Sequence, residues 1–490
     1  GRIVAVGGAV ELARRVPAGT PVYDLPDALV TPGFVDGHTH FALWALSRRR
    51  VRLAGAHSRE AALDRIAGVA PLQGWVIGQG WDANGWEAPP ERAALDAVQA
   101  GPVYLDSLDV HAAWVNSAAL AAAGITRDTP DPSGGRIVRD AAGEPTGLLL
   151  ERAVELMLPH LPVPPAALLD AALRDAQAEA HRLGVTGIHD VEDEAALAAF
   201  ERLELAGDLS LRVLFHPPAA SLPTLLARGL RSGMGSERLR MGGVKLFLDG
   251  SLGSRTAWML EPYATSRDRG MPLTSEEEAA RAMRAAAEAG IAVAAHAIGD
   301  AAVRRALDLI SPLPRVALPH RIEHFQCVHP ADLGRAAAAG IVVSMQPAHL
   351  LTDIPLVERH WGARGGGAYA FDTLRRLGTP MVFGSDVPVA SMDPREGLYA
   401  ALERRGDAGG PAGGWRAEEK LAFDDAVRAY TAGAALAGGV AARSGTLAPG
   451  RDADLVAWSF DPAAERGVGD AVRAGEARLT VVGGEVVMRR

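Results

Sequence analysis

Short apolar runs alternate with longer helical stretches between residues 31 and 445 of the chain. The runs are rich in branched and aromatic residues and end in turn signals, and the stretches between them are rich in Ala, Leu, Arg and Glu. This alternation is typical of βα units, which build a parallel sheet covered by helices. The runs that we interpret as strands are TPGFVDGHTH, PVYLDSLD, VTGIHD, LRVLFHP, VKLFLDG, IAVAAHAIG, LPHRIEHFQ, IVVSMQP and PMVFGSD.

The region from residue 50 to residue 165 differs from the rest of this middle part. It is rich in Trp, Gly, Pro and Asp, contains the turn-rich segment DPSGGRIVRDAAGEPTG, and shows little regular helix. We interpret it as an insertion after the first strand. Because PVYLDSLD lies inside the insertion, the runs outside it number eight, as a (β/α)8 barrel requires. The sequence therefore predicts an α/β fold with a (β/α)8 TIM-like barrel at residues 31–445 and an insertion or lid subdomain at residues 50–165.

Both ends of the chain contain short strand-like segments with glycine and proline between them. RIVAVGG and TPVYDLP lie within residues 1–30, and the C-terminal end contains SGTLAPGRDADLVAWS and ARLTVVGGEVVM. GRIVAVG resembles the second half of a hairpin whose first strand would precede it. Because the two ends flank the α/β middle, we expect residues 1–30 and 446–490 to form one small β-sandwich domain.

Composition narrows the range of partners. The chain has 490 residues, 48% of them hydrophobic, and can bury a large core. Its net charge of −9 disfavours nucleic acids and anionic membranes. No apolar run reaches the roughly 18 residues of a membrane span, and a single cysteine, Cys327, suits a reducing compartment. We expect a cytoplasmic protein that acts on a small molecule, with a homodimer as the default assembly.

The first predicted strand ends in two histidines separated by one residue. Alternate residues of a strand point to the same face, so His38 and His40 can converge on one metal ion. Two solvent-exposed histidines in a turn would give the same pattern. The metal interpretation therefore depends on finding further ligands.

Further polar residues occur near the ends of the later strands, where the active site of such a barrel lies. They are one amine, two imidazoles and one carboxylate: Lys245, His296, His324 and Asp386. A single histidine in an apolar strand is more often a structural residue of the core. The joint occurrence of these residues with His38 and His40 favours a metal site.

Lys245 is the most informative of these residues because the chain uses so little lysine. Among its 50 Lys and Arg residues, only Lys245 and Lys420 are lysines. Lys245 lies inside an apolar strand, where an ammonium group is costly to bury. An amine whose pKa is lowered by burial can add carbon dioxide to give a carbamate, and the two carbamate oxygens can bridge two metal ions. The alternative is a lysine paired with Asp249 or with a neighbouring glutamate.

Several of these strings together resemble the amidohydrolase superfamily: TPGFVDGHTH, VKLFLDGSLGSRTA, HAIGD, HRIEH and GSDVPV. KLFLDGSLGSRTA resembles in particular the YtcJ-like branch, and the resemblance covers nearly the whole chain. It implies a barrel with a small β-sandwich and a site with two zinc ions bridged by a carboxylated Lys245. The metal ligands that it implies are His38, His40, Lys245, His296, His324 and Asp386.

The resemblance implies an amidohydrolase that cleaves a C–N bond other than a peptide bond in an amide-like small molecule, such as an N-acyl or N-formyl compound. The metal ions would activate a water molecule and polarise the substrate carbonyl. Asp386 would act as general base towards the water and then as general acid towards the leaving nitrogen. Two alternatives remain open: a lyase or isomerase that uses one metal ion on the same scaffold, and a non-catalytic scaffold that has lost its metal.

Candidates for substrate binding lie in loop-like, glycine-flanked segments, where binding residues concentrate. They are Trp81, Asp82, His111, Arg255, Gln346 and His349. A structural hydrogen bond in a loop explains each of them as well as a substrate contact does. The tryptophans of the lid suggest an apolar or aromatic group in the substrate, and core packing explains them equally well.

Overall fold

The computed structural model describes residues 1–406, 409–460, 462 and 467–490. The predicted ranges 31–445 and 446–490 each contain a few positions that lie outside these described residues.

The strands in chain order are β1 (Leu29–Pro32), β2 (Phe34–Thr39), β3 (Val51–Arg52), β4 (Val76–Trp81), β5 (Val103–Ser107), β6 (Ala112–Val115), β7 (Gly135–Arg139), β8 (Pro145–Glu151), β9 (Val185–Val191), β10 (Arg212–His216), β11 (Leu239–Met241), β12 (Val244–Phe247), β13 (Val293–Ala297), β14 (Arg321–His324), β15 (Val342–Met345), β16 (Met381–Phe383), β17 (Leu455–Trp458), β18 (Ala477–Val482) and β19 (Glu485–Arg489).

The α-helices are α1 (Ala9–Ala13), α2 (Phe41–Ser47), α3 (Arg59–Ile66), α4 (Arg92–Asp96), α5 (Ser117–Ala122), α6 (Ala166–Arg182), α7 (Glu194–Leu205), α8 (Leu222–Ala227), α9 (Glu276–Glu288), α10 (Asp300–Ile310), α11 (Arg335–Ala339), α12 (Leu350–His360), α13 (Phe371–Arg376), α14 (Pro394–Glu403), α15 (Phe423–Tyr430), α16 (Ala432–Ala437) and α17 (Val468–Ala474). None of these helices is both long enough and apolar enough to cross a lipid bilayer.

Two parallel sheets form the centre of the fold, with the strand orders β11-β10-β9-β2 and β12-β13-β14-β15-β16. Backbone hydrogen bonds connect the sheets at both edges. At one edge the Asp386 N–H donates to the His38 carbonyl at 2.7 Å, and at the other the Lys245 N–H donates to the Pro217 carbonyl at 2.8 Å. The α/β fold is confirmed, and each apolar run outside residues 50–165 contains one strand of these sheets.

Several of the parallel strands are buried along their whole length because helices cover the sheets. Strands β9, β13, β14 and β15 are buried at every position, as expected of strands in an α/β core. Helix α6 shows the matching helical pattern, since its buried residues recur at a spacing of three or four and include Leu169, Ala172, Leu173, Ala176 and Ala180. These residues pack in one core cluster with Ile188 of β9.

Residues 51–151 contain a separate sheet, which we call the lid sheet, with the strand order β3-β4-β5-β6-β8-β7. Strands β3, β4 and β5 are parallel, and β6, β8 and β7 continue the sheet in antiparallel pairs. Trp114 belongs to an apolar cluster on this sheet, and Tyr104 belongs to a second one. The lid range 50–165 stays a prediction, and the lid sheet lies within it.

The two chain ends meet in a four-stranded antiparallel sheet of order β1-β17-β18-β19. Residues 1–28 differ from the short strands that the sequence predicts, because they contain helix α1 and, as paired backbone, a single bridge between Arg2 and Asp452. An extended segment without a continuous hydrogen-bonded partner is not stable as a strand. The described residues form one sheet here, and the second layer of a β-sandwich stays a prediction.

Candidate active site

The predicted metal ligands gather at the carboxyl ends of the parallel strands. Asp386 Oδ1 lies 3.4 Å from His38 Nε2 and 3.3 Å from His40 Nε2, and Asp386 Oδ2 lies 3.8 Å from His349 Nε2. The donor atoms of two triads, His38–His40–Asp386 and His324–His349–Asp386, lie within 4.8 Å of one another in each triad. His349, which the sequence suggests for substrate binding, is thus also placed as a possible ligand.

His324 and Asp386 both have a backbone conformation that L-residues seldom adopt. Their φ angles are 71° and 60°, and such a conformation costs about 1–3 kcal/mol at a non-glycine residue. Asp386 is held in place by its N–H, which donates to the His38 carbonyl at 2.7 Å. His324 is held by a hydrogen bond of 2.8 Å between its Nδ1 and Gln346 Oε1. Backbone strain of this kind concentrates at functional sites.

Several imidazole nitrogens at this edge are buried without a hydrogen bond. His296 Nε2 and His349 Nε2 have no hydrogen-bond partner within the described residues, although buried polar atoms are normally paired. Burial, followed by the charge of His324, holds the pKa of His296 well below its usual range, so its imidazole is neutral. Neutral imidazoles and a carboxylate are a suitable donor set for zinc and similar divalent ions. The residues present therefore fit a metal centre.

Each of the first two histidines is oriented by a partner on its Nδ1. His38 Nδ1 lies 2.6 Å from Glu323 Oε2, and His40 Nδ1 lies 2.7 Å from the Val191 carbonyl oxygen. Both rings therefore direct Nε2 towards Asp386, as is usual for histidines that bind metals. Burial, followed by the charge of Lys245, lowers the pKa of His38 to about 4.

The charged pair Arg321 and Glu323 behind His38 was not recognised in the sequence. Arg321 donates to Glu323, to the Gly37 carbonyl at 2.6 Å, and lies 2.9 Å from His189 Nδ1. Both side chains are buried in β14. The argument that singles out Lys245, a charge retained inside an apolar strand, applies equally to these two residues and would have found them.

Lys245 is buried and lies beside the histidines. Its Nζ is 3.5 Å from His38 Nε2 and 4.5 Å from the centre of the Phe247 ring. Burial lowers the pKa of Lys245 to about 8, against the opposing charges of Glu323 and Asp386. The suggested alternative partner, Asp249, instead accepts backbone hydrogen bonds, including one from Gly299 at 2.8 Å. Carboxylation of Lys245 stays a prediction.

Asp386 remains a carboxylate in this environment. Burial alone would raise its pKa, but the charge of His38 and the hydrogen bond from His40 hold that pKa well below its usual range. A carboxylate at this position can accept a proton or bind a cation.

A cavity of about 780 Å³ opens over this edge, within the size range of small-molecule sites. Its wall includes five of the predicted substrate residues, together with His324 and Asp386: Trp81, Asp82, His111, Arg255 and His349. Gln346 is not among the lining residues and instead orients His324 from behind. The lid sheet also contributes Arg136, Leu148 and Leu150, which no motif in the sequence indicates.

The chain belongs to the amidohydrolase family. Residues 21–488 match the Amidohydrolase family, and the predicted resemblance is confirmed.

Among its relatives is the Bacillus subtilis protein named "Putative amidohydrolase YtcJ", with 34% identity over 502 residues, covering 96% of this chain and 91% of the relative. The N-substituted formamide deformylase of Arthrobacter pascens is 27% identical over 495 residues, covering 94% and 89%. The crystal structure of an uncharacterized metal-dependent hydrolase from Pyrococcus horikoshii superimposes with a TM-score of 0.77 at 30% identity, covering 94% of this chain and 92% of that one.

Proposed function

We propose that this protein is a metal-dependent hydrolase that cleaves the C–N bond of an N-acyl or N-formyl small molecule. We place the reaction at the carboxyl end of a (β/α)8 barrel formed by the two parallel sheets. The observation that carries the proposal is the pair of triads that share Asp386 on the wall of the cavity. The names of the similar proteins, a metal-dependent hydrolase and a formamide deformylase, support the same reaction class.

The proposed ligands are His38, His40, His296, His324, Asp386 and a carboxylated Lys245. Two divalent ions, which we propose to be zinc, would supply Lewis acidity towards the substrate carbonyl and lower the pKa of a water molecule. Glu323 and Gln346 hold His38 and His324 in the required orientation.

Asp386 is the proposed proton carrier. As the water oxygen bonds to the carbonyl carbon, Asp386 takes a proton from that water, and it gives the proton to the nitrogen as the C–N bond breaks. An amide needs this second transfer because an amine leaves poorly unless it is protonated. The low pKa of Asp386 keeps it in the ionised form, which is the form that can accept a proton.

The substrate would be held by the remaining cavity residues. Trp81 and His111 come from the lid sheet and its loops, Arg255 from the loop after β12, and His349 from the segment after β15. Asp82 follows Trp81 on the same wall. The lid would then lie on one side of the substrate and the proposed metal ligands on the other.

The test combines metal analysis with a screen of N-acyl and N-formyl compounds in water enriched in the heavy oxygen isotope. We expect metal uptake, release of an amine, and one heavy oxygen atom in the acid product. Asp386→Asn should lower kcat by about a thousandfold or more, and the exposed Asp128→Asn serves as a matched control. Turnover without incorporation of water oxygen would indicate a lyase or isomerase, and absence of metal uptake after reconstitution would indicate a non-catalytic scaffold.

A further inference from the structure

The lid sheet is attached to the loop that follows β12. This loop, residues 250–256, has the sequence GSLGSRT and is called the docking loop below. Asp109 of the lid accepts hydrogen bonds from Ser251 Oγ at 2.6 Å and from Ser254 Oγ at 2.7 Å through the same oxygen, Oδ2. The docking loop thus supplies hydrogen-bond donors to a carboxylate that belongs to the lid.

A second lid carboxylate makes a similar contact at the end of β8. Glu151 accepts a hydrogen bond from the Thr256 hydroxyl through Oε1. Its side chain is 2% exposed, and a carboxylate buried to this degree is costly without hydrogen-bond donors. The Thr256 hydroxyl also accepts from the Ser251 N–H at 3.0 Å, which ties the two ends of the docking loop together.

The glycines of the docking loop allow this close approach. A Cβ atom at Gly250 would lie 2.0 Å from Glu151 Oε1, and a Cβ atom at Gly253 would lie 2.9 Å from Asp109 Oδ2. A side chain at Gly250 would therefore displace the lid carboxylate. The glycines and hydroxyls of GSLGSRT, which the proposed chemistry does not use, are explained by contact with the lid.

Both lid carboxylates also hold His111. Glu151 Oε2 lies 2.8 Å from His111 Nδ1, Asp109 Oδ1 accepts from the His111 N–H at 3.2 Å, and the His111 carbonyl accepts from the Glu151 N–H at 2.8 Å. The His111 ring lines the cavity, and its centre is 5.4 Å from that of His296. His111 Nε2 makes no hydrogen bond within the described part of the chain and is the ring atom left for a ligand.

We propose that the docking loop places the lid so that His111 Nε2 forms a hydrogen bond with the amide group that is hydrolysed. His111 is then a catalytic residue that the lid delivers to the metal site, and Asp109, Glu151 and Thr256 are positioning residues. This inference rests on the proposed function. No covalent bond to His111 forms or breaks.

The kinetic test uses a matched pair at position 256 and a substitution of His111. With N-cyclohexylformamide as substrate, His111→Ala should lower kcat by about 100-fold and leave the metal content unchanged. Thr256→Val removes the hydroxyl at nearly constant volume and should lower kcat by about tenfold, with a smaller change in KM. Thr256→Ser, which retains the hydroxyl, should restore kcat. Unchanged kcat in His111→Ala would overturn the proposal.

A second measurement does not depend on turnover. In the wild type, N-cyclohexylformamide should protect His111 from diethyl pyrocarbonate, with the exposed His160 as internal reference. In Thr256→Val, amide hydrogen exchange in β6 and β8 should become faster than in the wild type and in Thr256→Ser. If no amide is hydrolysed but protection and exchange behave as expected, the proposed reaction is wrong and the placement of His111 holds. No protection, or unchanged exchange, would overturn the inference.

Discussion

The two ends of the parallel strands use buried polar groups in different ways. At the amino ends, next to the terminal sheet, Arg212 donates to both oxygens of Asp454 at 2.7 and 3.1 Å, and Trp458 Nε1 donates to Thr31 Oγ1 at 2.9 Å. At the carboxyl ends, His296 Nε2 and His349 Nε2 have no hydrogen-bond partner within the described residues. Polar groups at the amino ends therefore stabilise the fold, whereas the unpaired imidazole nitrogens at the carboxyl ends are available to a ligand.

The largest effect should follow from a change at the carboxyl ends. His38→Asn removes a proposed metal ligand at the end of β2, so kcat should fall by about a thousandfold or more, with loss of bound metal. The measurement is kcat together with metal content by atomic emission. His160→Asn, at an exposed position, is the control. Full metal content and activity in His38→Asn would show that polar residues at the carboxyl ends of the strands are not specialised for function.

A smaller effect on metal binding is expected from Glu323, which contacts His38 on the side away from Asp386. Glu323→Gln weakens the partner of His38 Nδ1, and loss of such a partner typically lowers metal affinity by about 10- to 100-fold. Competition with a chelator measures this affinity. An unchanged affinity would show that the orientation of His38 does not depend on the charge of Glu323.

At the amino ends, a substitution should change stability and leave kcat unaltered. Arg212→Gln leaves Asp454, which is 8% exposed, without its cation, and we expect a loss of about 1–3 kcal/mol in the free energy of unfolding. Chemical denaturation and steady-state kinetics on the same sample give both quantities. A fall in kcat with unchanged stability would contradict the assignment of this end to stability.

The smallest effect concerns pH and His181, at the end of α6. Burial lowers the pKa of His181 to about 4, and its Nε2 lies 2.8 Å from Ser210 Oγ. The folded pKa of His181 is below the unfolded value of about 6.5, so protons bind more tightly to the unfolded chain. The contribution of neutral His181 to the free energy of unfolding is therefore fully present above pH 6.5 and is lost as the pH falls towards 4. At pH 5.5 the loss is about 1 kcal/mol. The free energy of unfolding of His181→Gln should vary less between pH 7 and pH 5, and an identical variation would exclude His181 as the cause.

The sequence predicted the central strands well because each is a buried apolar run bounded by turn residues. Polar residues within or directly after the same runs suggested His38, Lys245, His296, His324 and Asp386 as site residues, since a polar residue is conspicuous in a buried apolar run.

Contacts between distant parts of the chain could not be predicted from the sequence. Nothing in β6 or β8 indicates their antiparallel pairing in the lid sheet, and the hydrogen bonds of Asp109 to Ser251 and Ser254 span more than 140 residues. Residues 1–28 were wrongly predicted as strands because composition does not show whether a partner strand is available. Gln346 follows β15 as predicted, but its side chain turns to His324 and not to the cavity.

The scarcity of lysine allows the proposed carbamate on Lys245 to be tested by mass measurement. Lys420 is partly exposed and 3.5 Å from Glu403, whereas Lys245 is buried. Reductive methylation of the native protein should therefore modify the N-terminus and Lys420 and spare Lys245. Intact-mass measurement under native conditions can then detect the mass of one added carbon dioxide on a protein with a single unmodified lysine. Absence of this added mass in the metal-loaded protein would argue against a carbamate on Lys245.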